Sequence, residues 1–394
     1  MKLLVAASSA PDGGAGISSY AKDLTEVMRQ KGHSVTYVAP APDDDSWLRQ
    51  HGVKLFPLGQ HDDPLEAAKA LVSLVRTDSI DAIINNDHPF VQSIAPAVPC
   101  VFIAVGHLQN TSVASLACHN AAWLDYVVTI SNDMRDRYIR KFELPTWKAP
   151  LIYNGVPDRG YDRQVAERNG PLQVIFAGGS NRRKGADRVL DLAMQLGRQD
   201  LGVELNWFGT LKADDKTKLQ SRADVVLRGH TPREEFLETL RQADILLHPS
   251  RVEGCPMTLL EGFCFGVASI VSDGLGAMEE IVINGHNGYV CPTKDWGRRA
   301  LECLTFLANR RHILEDLKQN SRKRYETGFK VEMTAANIEH LLLNPTIDRS
   351  APRTDISVLH WHRPFLPGST RAPLADRFRI RLGILREAGR VQAA

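Results

Sequence analysis

The sequence of 394 residues lacks a long apolar run. Its longest such stretch, residues 94–106, is interrupted by Pro96 and Pro99 and falls short of the about 20 apolar residues that span a bilayer. Near the start, only residues 3–7 are apolar before small and polar residues follow, which is too short for the apolar core of a signal peptide. We therefore expect no transmembrane helix and a cytoplasmic protein.

Closely spaced cysteine pairs and a large net charge are also lacking. The six cysteines form no C-x-x-C pair, and no histidine stands at zinc-ligand spacing. We therefore expect small buried thiols in a reducing compartment and no structural metal. The 48 Lys and Arg residues are balanced by 46 Asp and Glu, a net charge of +2. With charges so nearly balanced, we expect no electrostatic attraction of the chain as a whole to nucleic acid, so any anion site must be local.

What the sequence does contain is a repeated alternation of β-branched runs with helical patterns, typical of parallel βαβ units. The runs fall into two sets, at 2–8, 34–40, 53–59, 82–86, 100–106, 126–131 and 149–155, and then at 172–178, 203–209, 224–229, 243–250, 267–273 and 288–293. Because a single core stops growing near about 250–300 residues, we predict an α/β protein with two Rossmann-like domains facing across a cleft. Their predicted bounds are 1–157 and 171–343, joined by a polar linker at 158–170.

The remaining residues, 344–394, are predicted to form a C-terminal extension. Within it, Leu374, Phe378, Leu382 and Leu385 recur at helical spacing, and residues 371–394 hold six Arg against two acidic residues, 6 − 2 = +4. Such a basic amphipathic helix either lies on an anionic membrane surface or packs back on the first domain. Both alternatives stay open, and the first implies a peripheral location on the cytoplasmic membrane face.

Two glycine-rich turns, each between a predicted strand and a predicted helix, are candidate anion sites. The first contains Gly14 and Gly16, where backbone amides and a helix N-terminus favour an anion. The second, GSNRRKG, adds the side chains of Arg182, Arg183 and Lys184. Three cations at a helix N-terminus suit a pyrophosphate without a metal, whereas the alternative is a solvated basic turn.

Two carboxylates eight residues apart follow the strand at 243–250. Glu253 lies in the loop, and Glu261 lies one turn into a helix that begins near Met257. Ionised carboxylates only accept hydrogen bonds and suit diols, so this pair beside an anion site indicates sugar and ribose hydroxyls flanking a diphosphate. The alternative is that Glu253 caps the helix and Glu261 pairs with an arginine.

With these motifs, the sequence resembles glycosyltransferase family 4, the retaining nucleotide-sugar-dependent enzymes of the GT-B fold. The E-x7-E hallmark of that family is present as EGCPMTLLE, followed by GFCFG, VASIVSD and GLGAMEEIV. The segments RKG, NGHNGYVCP and YNGVP also match. The resemblance covers about residues 1–343 and is closer in the second domain than in the first.

The resemblance implies roles for individual donor-binding residues. Glu253 contacts hydroxyls of the donor sugar, Glu261 holds the ribose diol, and Lys184 contacts the diphosphate. The donor set also includes main-chain groups near Arg228 and Gly229, which read the base, and the start of the helix at Met257, Thr258 and Leu259. In one departure from the family, Gly179 stands where members commonly carry an arginine, so Arg182 or Arg183 is expected to supply that charge.

The resemblance also implies a histidine at the end of a central strand, close to the transferred sugar. His107 follows the strand CVFIAVG and matches in context, so it joins Glu253 as a catalytic candidate. His88 also follows a strand, one earlier in the chain, and is the acceptor-side competitor. Both positions line the carboxyl edge of a parallel sheet, and only context separates them.

The sequence thus predicts a hexosyl- or other glycosyltransferase that moves a sugar, with retention, from a nucleoside diphosphate sugar to a carbohydrate or lipid-linked acceptor, without a metal or other cofactor. The alternatives are a nucleotide-sugar epimerase of GT-B shape, a dinucleotide-dependent oxidoreductase and a non-catalytic binding protein. The absence of G-x-G-x-x-G counts against the oxidoreductase. A D-x-D run at Asp43–Asp45 lies in a Pro-rich loop and is expected to be solvated rather than metal-binding.

Overall fold

A computed structural model describes residues 1–11, 16–58, 64–107, 116–161, 170–199, 201–220, 222 and 224–348. The chain forms two compact units. The first contains Met1–Asn154 and the chain from Val331, and the second contains Gly155–Lys330. Within the described residues, no helix is long and apolar enough to cross a membrane.

The first unit is built on a six-stranded parallel sheet of order β3-β2-β1-β4-β5-β6. Its strands are β1 (Lys2–Ala7), β2 (Ser34–Ala39), β3 (Lys54–Pro57), β4 (Ala82–Asn86), β5 (Val101–Val105) and β6 (Tyr126–Val128). Its helices are α1 (Gly16–Gln30), α2 (Ser46–Gln50), α3 (Pro64–Thr77), α4 (Pro89–Ser93) and α5 (Asn132–Phe142). The β4 residues are buried throughout, because helices cover both faces of such a sheet.

The second unit repeats this plan with strand order β12-β11-β10-β7-β8-β9. The strands are β7 (Leu172–Ala177), β8 (Val203–Phe208), β9 (Val225–Gly229), β10 (Ile245–His248), β11 (Ala268–Ser272) and β12 (Gly288–Cys291). The helices are α6 (Ala186–Leu196), α7 (Ala213–Gln220), α8 (Arg233–Arg241), α9 (Met257–Cys264), α10 (Met278–Ile281), α11 (Trp296–Ala308) and α12 (Arg311–Gly328). The described residues therefore confirm the α/β class and the doubly wound sheets.

Each sheet reverses its strand order between two neighbouring strands, and ligands of such folds bind beyond the carboxyl ends at that point. In the first unit the reversal lies between β1 and β4, whose register pairs Leu3 with Ala82. In the second it lies between β7 and β10, where Val174 pairs with Ile245. The loops after β7 and β10 carry Lys184 and Glu253, so the topology brings together two segments that the sequence separates.

The last helix of the described residues, α13 (Val331–Leu343), belongs to the first unit and not, as predicted, to the second domain. It packs on α1. Glu339 of α13 pairs with Lys31 at 2.6 Å and with His33 at 2.8 Å. Amphipathic periodicity shows that a helix has a buried face but does not say which core that face meets.

One predicted strand of the first unit does not form. The run at 149–155 makes only an isolated bridge, between Leu151 and Thr129, rather than a seventh strand. Asp43–Asp45 are exposed as expected, and Asp44 accepts hydrogen bonds from the Ser46 amide and hydroxyl. Most of the predicted linker, 162–169, and the predicted basic helix at 371–394 lie outside the described residues, so the membrane contact of the tail stays a prediction.

Candidate active site

Two loops meet at the reversal point of the second sheet, one after β7 and one after β10. The backbone amide of Arg251 donates to the Arg183 carbonyl at 2.9 Å, and its guanidinium donates to the Arg182 carbonyl. Arg188 reaches across to the Pro249 carbonyl at 2.8 Å. These hydrogen bonds join residues 181–185 and 249–254, which we together call the Lys184 cradle.

Gly185 lets the two loops of the cradle approach each other. Its φ is +80°, in the left-handed region that side chains other than glycine rarely adopt. A Cβ atom at this position would lie 2.8 Å from the Pro249 carbonyl carbon and closer still to its oxygen. The glycine of the R-K-G segment is therefore required both by backbone conformation and by space.

The centre of the cradle is an ion pair between Lys184 Nζ and Glu253 Oε1 at 2.7 Å. Glu253 is 6% exposed, and His248 Nε2 lies 3.5 Å from the same carboxylate oxygen. Burial opposes ionisation of Glu253, but His248 and the Lys184 ammonium more than offset it, so the pKa of Glu253 lies well below its ordinary value. The carboxylate is therefore charged at neutral pH and ready to accept hydrogen bonds.

The second carboxylate, Glu261, is 3% exposed and pairs with Arg233 of α8 at 2.6 Å. Glu261 therefore pairs with an arginine, as one of the two predicted alternatives proposed. The capping alternative for Glu253 is not observed, because the N-cap residue of α9 is Pro256 and no side-chain capping hydrogen bond is present there. Glu253 and Glu261 thus each form an ion pair, the first with Lys184 and the second with Arg233.

The two arginines before Lys184 are exposed. Arg182 lies 3.6 Å from Asp187, which is held more tightly by both guanidinium nitrogens of Arg251 at 2.8 and 2.7 Å. Gly179 has φ of +51° and a Cβ there would meet the Thr210 carbonyl oxygen at 2.5 Å. No side chain fits at position 179 without a shift of the backbone, which explains why this chain departs from the family pattern there.

The remaining donor candidates of the second unit lie at other strand and helix ends. Arg228 and Gly229 are exposed at the end of β9; their carbonyls accept from the Thr231 hydroxyl at 3.1 Å and the Gly209 amide at 2.7 Å. At the start of α9, the Leu259 amide donates to the Pro256 carbonyl at 3.1 Å. The amides of Met257 and Thr258 precede it in the first turn, where a helix leaves donors for an anion.

In the first unit, His107 follows β5 and is 5% exposed. Its Nε2 lies 3.1 Å from Asn86 Oδ1, and its backbone amide donates to Asp87 Oδ2 at 2.9 Å. The Tyr20 ring packs edge-on at 4.7 Å between centroids. Burial lowers the pKa of His107 to about 3, so the imidazole is neutral. We call these four residues the His107 cluster.

The competitor, His88, is 5% exposed and stands at the N-cap position of α4. Its backbone amide and carbonyl are both bonded to the Asn85 side chain at 3.1 Å. Gly16 is exposed at the first position of α1, whereas Gly14 lies outside the described residues. His88 and His107 therefore follow adjacent strands, as the sequence predicted, and their roles stay predictions.

Comparison with known proteins decides the family. Residues 14–159 match the model "Glycosyltransferase Family 4", and residues 158–324 match "Glycosyl transferases group 1". The chain belongs to the family 4 type glycosyltransferases. Its fold is the GT-B fold of that group: the glycosyltransferase is similar to Anabaena Alr3699/HepE in complex with UDP-glucose, with a TM-score of 0.71 and 16% identity over 87% of this chain and 100% of that chain.

Curated relatives align with this chain over only part of their length. A glycogen synthase of Mycobacterium tuberculosis is 28% identical over 184 residues, 44% of this chain and 44% of the relative. A lipopolysaccharide 1,6-galactosyltransferase of Salmonella typhimurium is 25% identical over 173 residues, 42% and 48%. The glycosyltransferase thus spans about half the length of the curated relatives it matches here.

Several residues that shape the sites of this glycosyltransferase were not predicted. Arg251, Arg233 and His248 contact the predicted carboxylates or the cradle backbone, and Asn86 contacts His107. Arg251 and His248 flank the strand end in HPSRVE, a position that could have marked them as lining the same edge. Arg233 carries no such signal, because its partner Glu261 is 28 residues away on another helix.

Proposed function

We propose that this glycosyltransferase moves a sugar from a nucleoside diphosphate sugar to an acceptor hydroxyl, with retention of the anomeric configuration and without a metal ion. The observation that carries the proposal is the Lys184–Glu253 pair, 2.7 Å apart at a strand reversal point. A cation for the leaving diphosphate and an ionised acceptor for sugar hydroxyls stand side by side.

A diphosphate entering the cradle competes with Glu253 for the Lys184 ammonium. As Lys184 turns to the phosphate oxygens, the Glu253 carboxylate is freed to accept hydrogen bonds from the hydroxyls of the sugar. Arg182 and Arg183, both exposed, add charge, and the first amides of α9 add donors. This exchange stabilises negative charge on the departing diphosphate, which is the main electrostatic demand of sugar transfer.

Glu261 is proposed to hold the ribose diol. Its carboxylate is buried and accepts a hydrogen bond from Arg233 at 2.6 Å. A ribose bound there would donate to a carboxylate whose orientation Arg233 already fixes. His107 is proposed to contact a hydroxyl of the transferred sugar. A role in polysaccharide or glycoconjugate synthesis in the cytoplasm, on a carbohydrate or lipid-linked acceptor, agrees with the named relatives, which include a glycogen synthase and a lipopolysaccharide galactosyltransferase.

The test is a panel of nucleoside diphosphate sugars incubated with the protein without acceptor, with release of nucleoside diphosphate as the readout. We expect slow hydrolysis of one donor, unaffected by EDTA and lost in Glu253→Gln. Complete loss with EDTA would contradict the metal-free site. An epimerised nucleotide sugar formed without acceptor would favour the epimerase alternative. The anomeric configuration of the product formed with an acceptor, read by NMR, tests retention.

A further inference from the structure

The His107 imidazole is neutral, and a neutral imidazole has two forms that differ in what they offer a ligand. With the proton on Nε2, Nδ1 is an acceptor; with the proton on Nδ1, that nitrogen is a donor. His107 is 5% exposed, and burial lowers its pKa to about 3. Which of the two forms is present is therefore decided by its hydrogen-bond partners.

Asn86, the last residue of β4, is the partner of Nε2. Its Nδ2 donates to the Ala6 carbonyl at 2.9 Å. Because a carbonyl oxygen only accepts hydrogen bonds, the amide nitrogen of Asn86 must face Ala6, and the amide oxygen must face the other way. That oxygen lies 3.1 Å from His107 Nε2, so Nε2 has to be the donor.

The backbone of His107 is hydrogen-bonded as well as its ring. Asp87 accepts the His107 amide at 2.9 Å from a left-handed conformation with φ of +51°. Asparagine and aspartate tolerate this region better than most residues. The Tyr20 ring closes another side at 4.7 Å. Neighbours from the end of β4 and from α1 therefore hold the imidazole in place before any ligand arrives.

We propose that Asn86 is a positioning residue that holds His107 as the Nε2–H tautomer, and so leaves Nδ1 as a hydrogen-bond acceptor. A group that donates a hydrogen bond, such as a sugar hydroxyl, matches this nitrogen. A phosphate or carboxylate oxygen does not, because two lone pairs would face each other. The ligand class rests on the proposed function, whereas the tautomer itself does not.

The titratable groups around His107 agree with a neutral ring. Asp87 at the end of β4 and Tyr20 of α1 contact His107 directly. Burial raises the pKa of Asp87 to about 8, although the His107 amide opposes that shift. Beyond Asp87, burial also raises the pKa values of Cys118 and Tyr138. Within the described residues, these groups supply no anion that would stabilise an imidazolium at neutral pH.

The experiment is NMR of the full-length protein with 15N-labelled histidine, in which two-bond couplings distinguish the tautomers. The His107 signal is identified by its loss in His107→Gln. We expect a pure Nε2–H pattern in the wild type at all pH values from about 5 to about 8, because the lowered pKa keeps the ring neutral. An Nδ1–H pattern, or a ring that becomes protonated in this range, would overturn the proposal without reference to any enzymatic activity.

Two variants test the role of Asn86. Asn86→Ala should yield a mixture of tautomers, and a pure Nε2–H form in that variant would show that Asn86 is not needed. Asn86→Asp places a carboxylate beside Nε2 and should raise the imidazole pKa by at least about 1 unit. Asn85→Asp is the matched control: its side chain bonds to Gln92 and the His88 backbone, so the His107 pattern should not change.

The kinetic arm uses the donor found in the hydrolysis screen. In Asn86→Asp, kcat/KM should rise with pH across the imidazole pKa that NMR gives for this variant, because the imidazolium loses its proton there, whereas Asn85→Asp should keep the wild-type profile. A flat kcat/KM profile across that pKa would show that His107 does not contact the sugar. Absence of any donor turnover would count against the proposed function and leave the tautomer result standing.

Discussion

The Lys184 cradle and the His107 cluster both lie at the carboxyl ends of strands in parallel sheets, yet burial affects their ionisable groups in opposite ways. In the cradle, a carboxylate that is 6% exposed stays charged because Lys184 is 2.7 Å away. In the cluster, His107 and Asp87 are equally buried, and their pKa values move to about 3 and about 8. Burial neutralises a group that has no counter-ion, whereas a group that has one keeps its charge.

The difference bears on the proposed ligands of the two sites. Under the proposed function, a diphosphate would replace Glu253 as the partner of Lys184, and sugar hydroxyls would replace Lys184 as the partners of Glu253, so no charge would be left without a partner. The neutral His107 cluster would instead meet an uncharged hydroxyl.

The largest effect is expected from Gly185→Ala, which would push the two loops of the cradle apart. The new Cβ meets the Pro249 carbonyl, and φ of +80° is strained for alanine. We expect a loss of about 3–4 kcal/mol in the free energy of unfolding, measured by urea denaturation. The control is Gly202→Ala, where φ is +58° but nothing lies within 4 Å of the added atom. It should cost only about 1 kcal/mol, and equal losses would show that the close approach to Pro249 does not matter.

Asp87→Asn tests the neutral cluster. Because the pKa of Asp87 is raised to about 8 in the folded protein, the folded state keeps a proton that the unfolded state releases above about pH 4. Folding stability of the wild type therefore falls as pH rises between these values. The asparagine side chain does not titrate, so relative to the wild type the variant should gain about 2–4 kcal/mol between about pH 5 and about pH 8.

The measurement is the free energy of unfolding at several pH values, with Asp44→Asn as control. Asp44 is exposed and hydrogen bonds from Ser46 lower its pKa, so it is ionised in both states over this range and its variant should add no slope. A parallel pH dependence of wild type and Asp87→Asn would mean that Asp87 is ionised in the folded protein.

Lys184→Met tests the charged cradle, and here removing a charge should destabilise. The Glu253 carboxylate would remain buried without its ammonium partner. Complete burial of such an orphan costs about 3–5 kcal/mol; because the Lys184 side chain is 28% exposed, we expect about 2 kcal/mol at neutral pH. The lowered pKa of Glu253 means that the wild-type stabilisation is present above about pH 4.5 and is lost as pH falls.

The deficit of Lys184→Met should therefore shrink in acid, which thermal denaturation across pH can show. The double variant with Glu253→Gln should be more stable than Lys184→Met alone, because no unpaired charge is left. The exposed pair Arg49–Asp45 is the control, and Arg49→Ala should cost less than about 0.5 kcal/mol. Additive single and double variants would contradict coupling between Lys184 and Glu253.

Much of the fold could be predicted from local patterns. All six strands of the second unit fall within the β-branched runs, and six of the seven runs in the first unit are strands. The seventh, at 149–155, has the right composition but makes one bridge only. Strand formation there depends on a neighbour with free hydrogen-bonding groups over several residues, which composition does not report. The placement of α13 was missed for a related reason, since an apolar helix face does not specify which core it packs against.

The sites were predictable as residues but not as contacts. Lys184, Glu253, Glu261 and His107 stood out because of their positions beside strand and helix ends. Their partners did not: Glu253 is 69 residues from Lys184, and Asn86 is 21 residues from His107. Gly179 looked like a missing arginine in the sequence, and the structure shows that the Thr210 backbone occupies the space of a side chain.

The sequence by itself determined the order of elements, the class of both sheets and the residues at the carboxyl ends of their strands, because hydrophobic periodicity and glycine-rich turns are local properties of the chain. The tertiary structure decided which charges meet and which groups give up their charge. Pairing joins segments far apart in sequence, and desolvation depends on everything packed around a group. For this reason one buried carboxyl, Glu253, is a charged acceptor and another, Asp87, is neutral, although nothing in their local sequence distinguishes them.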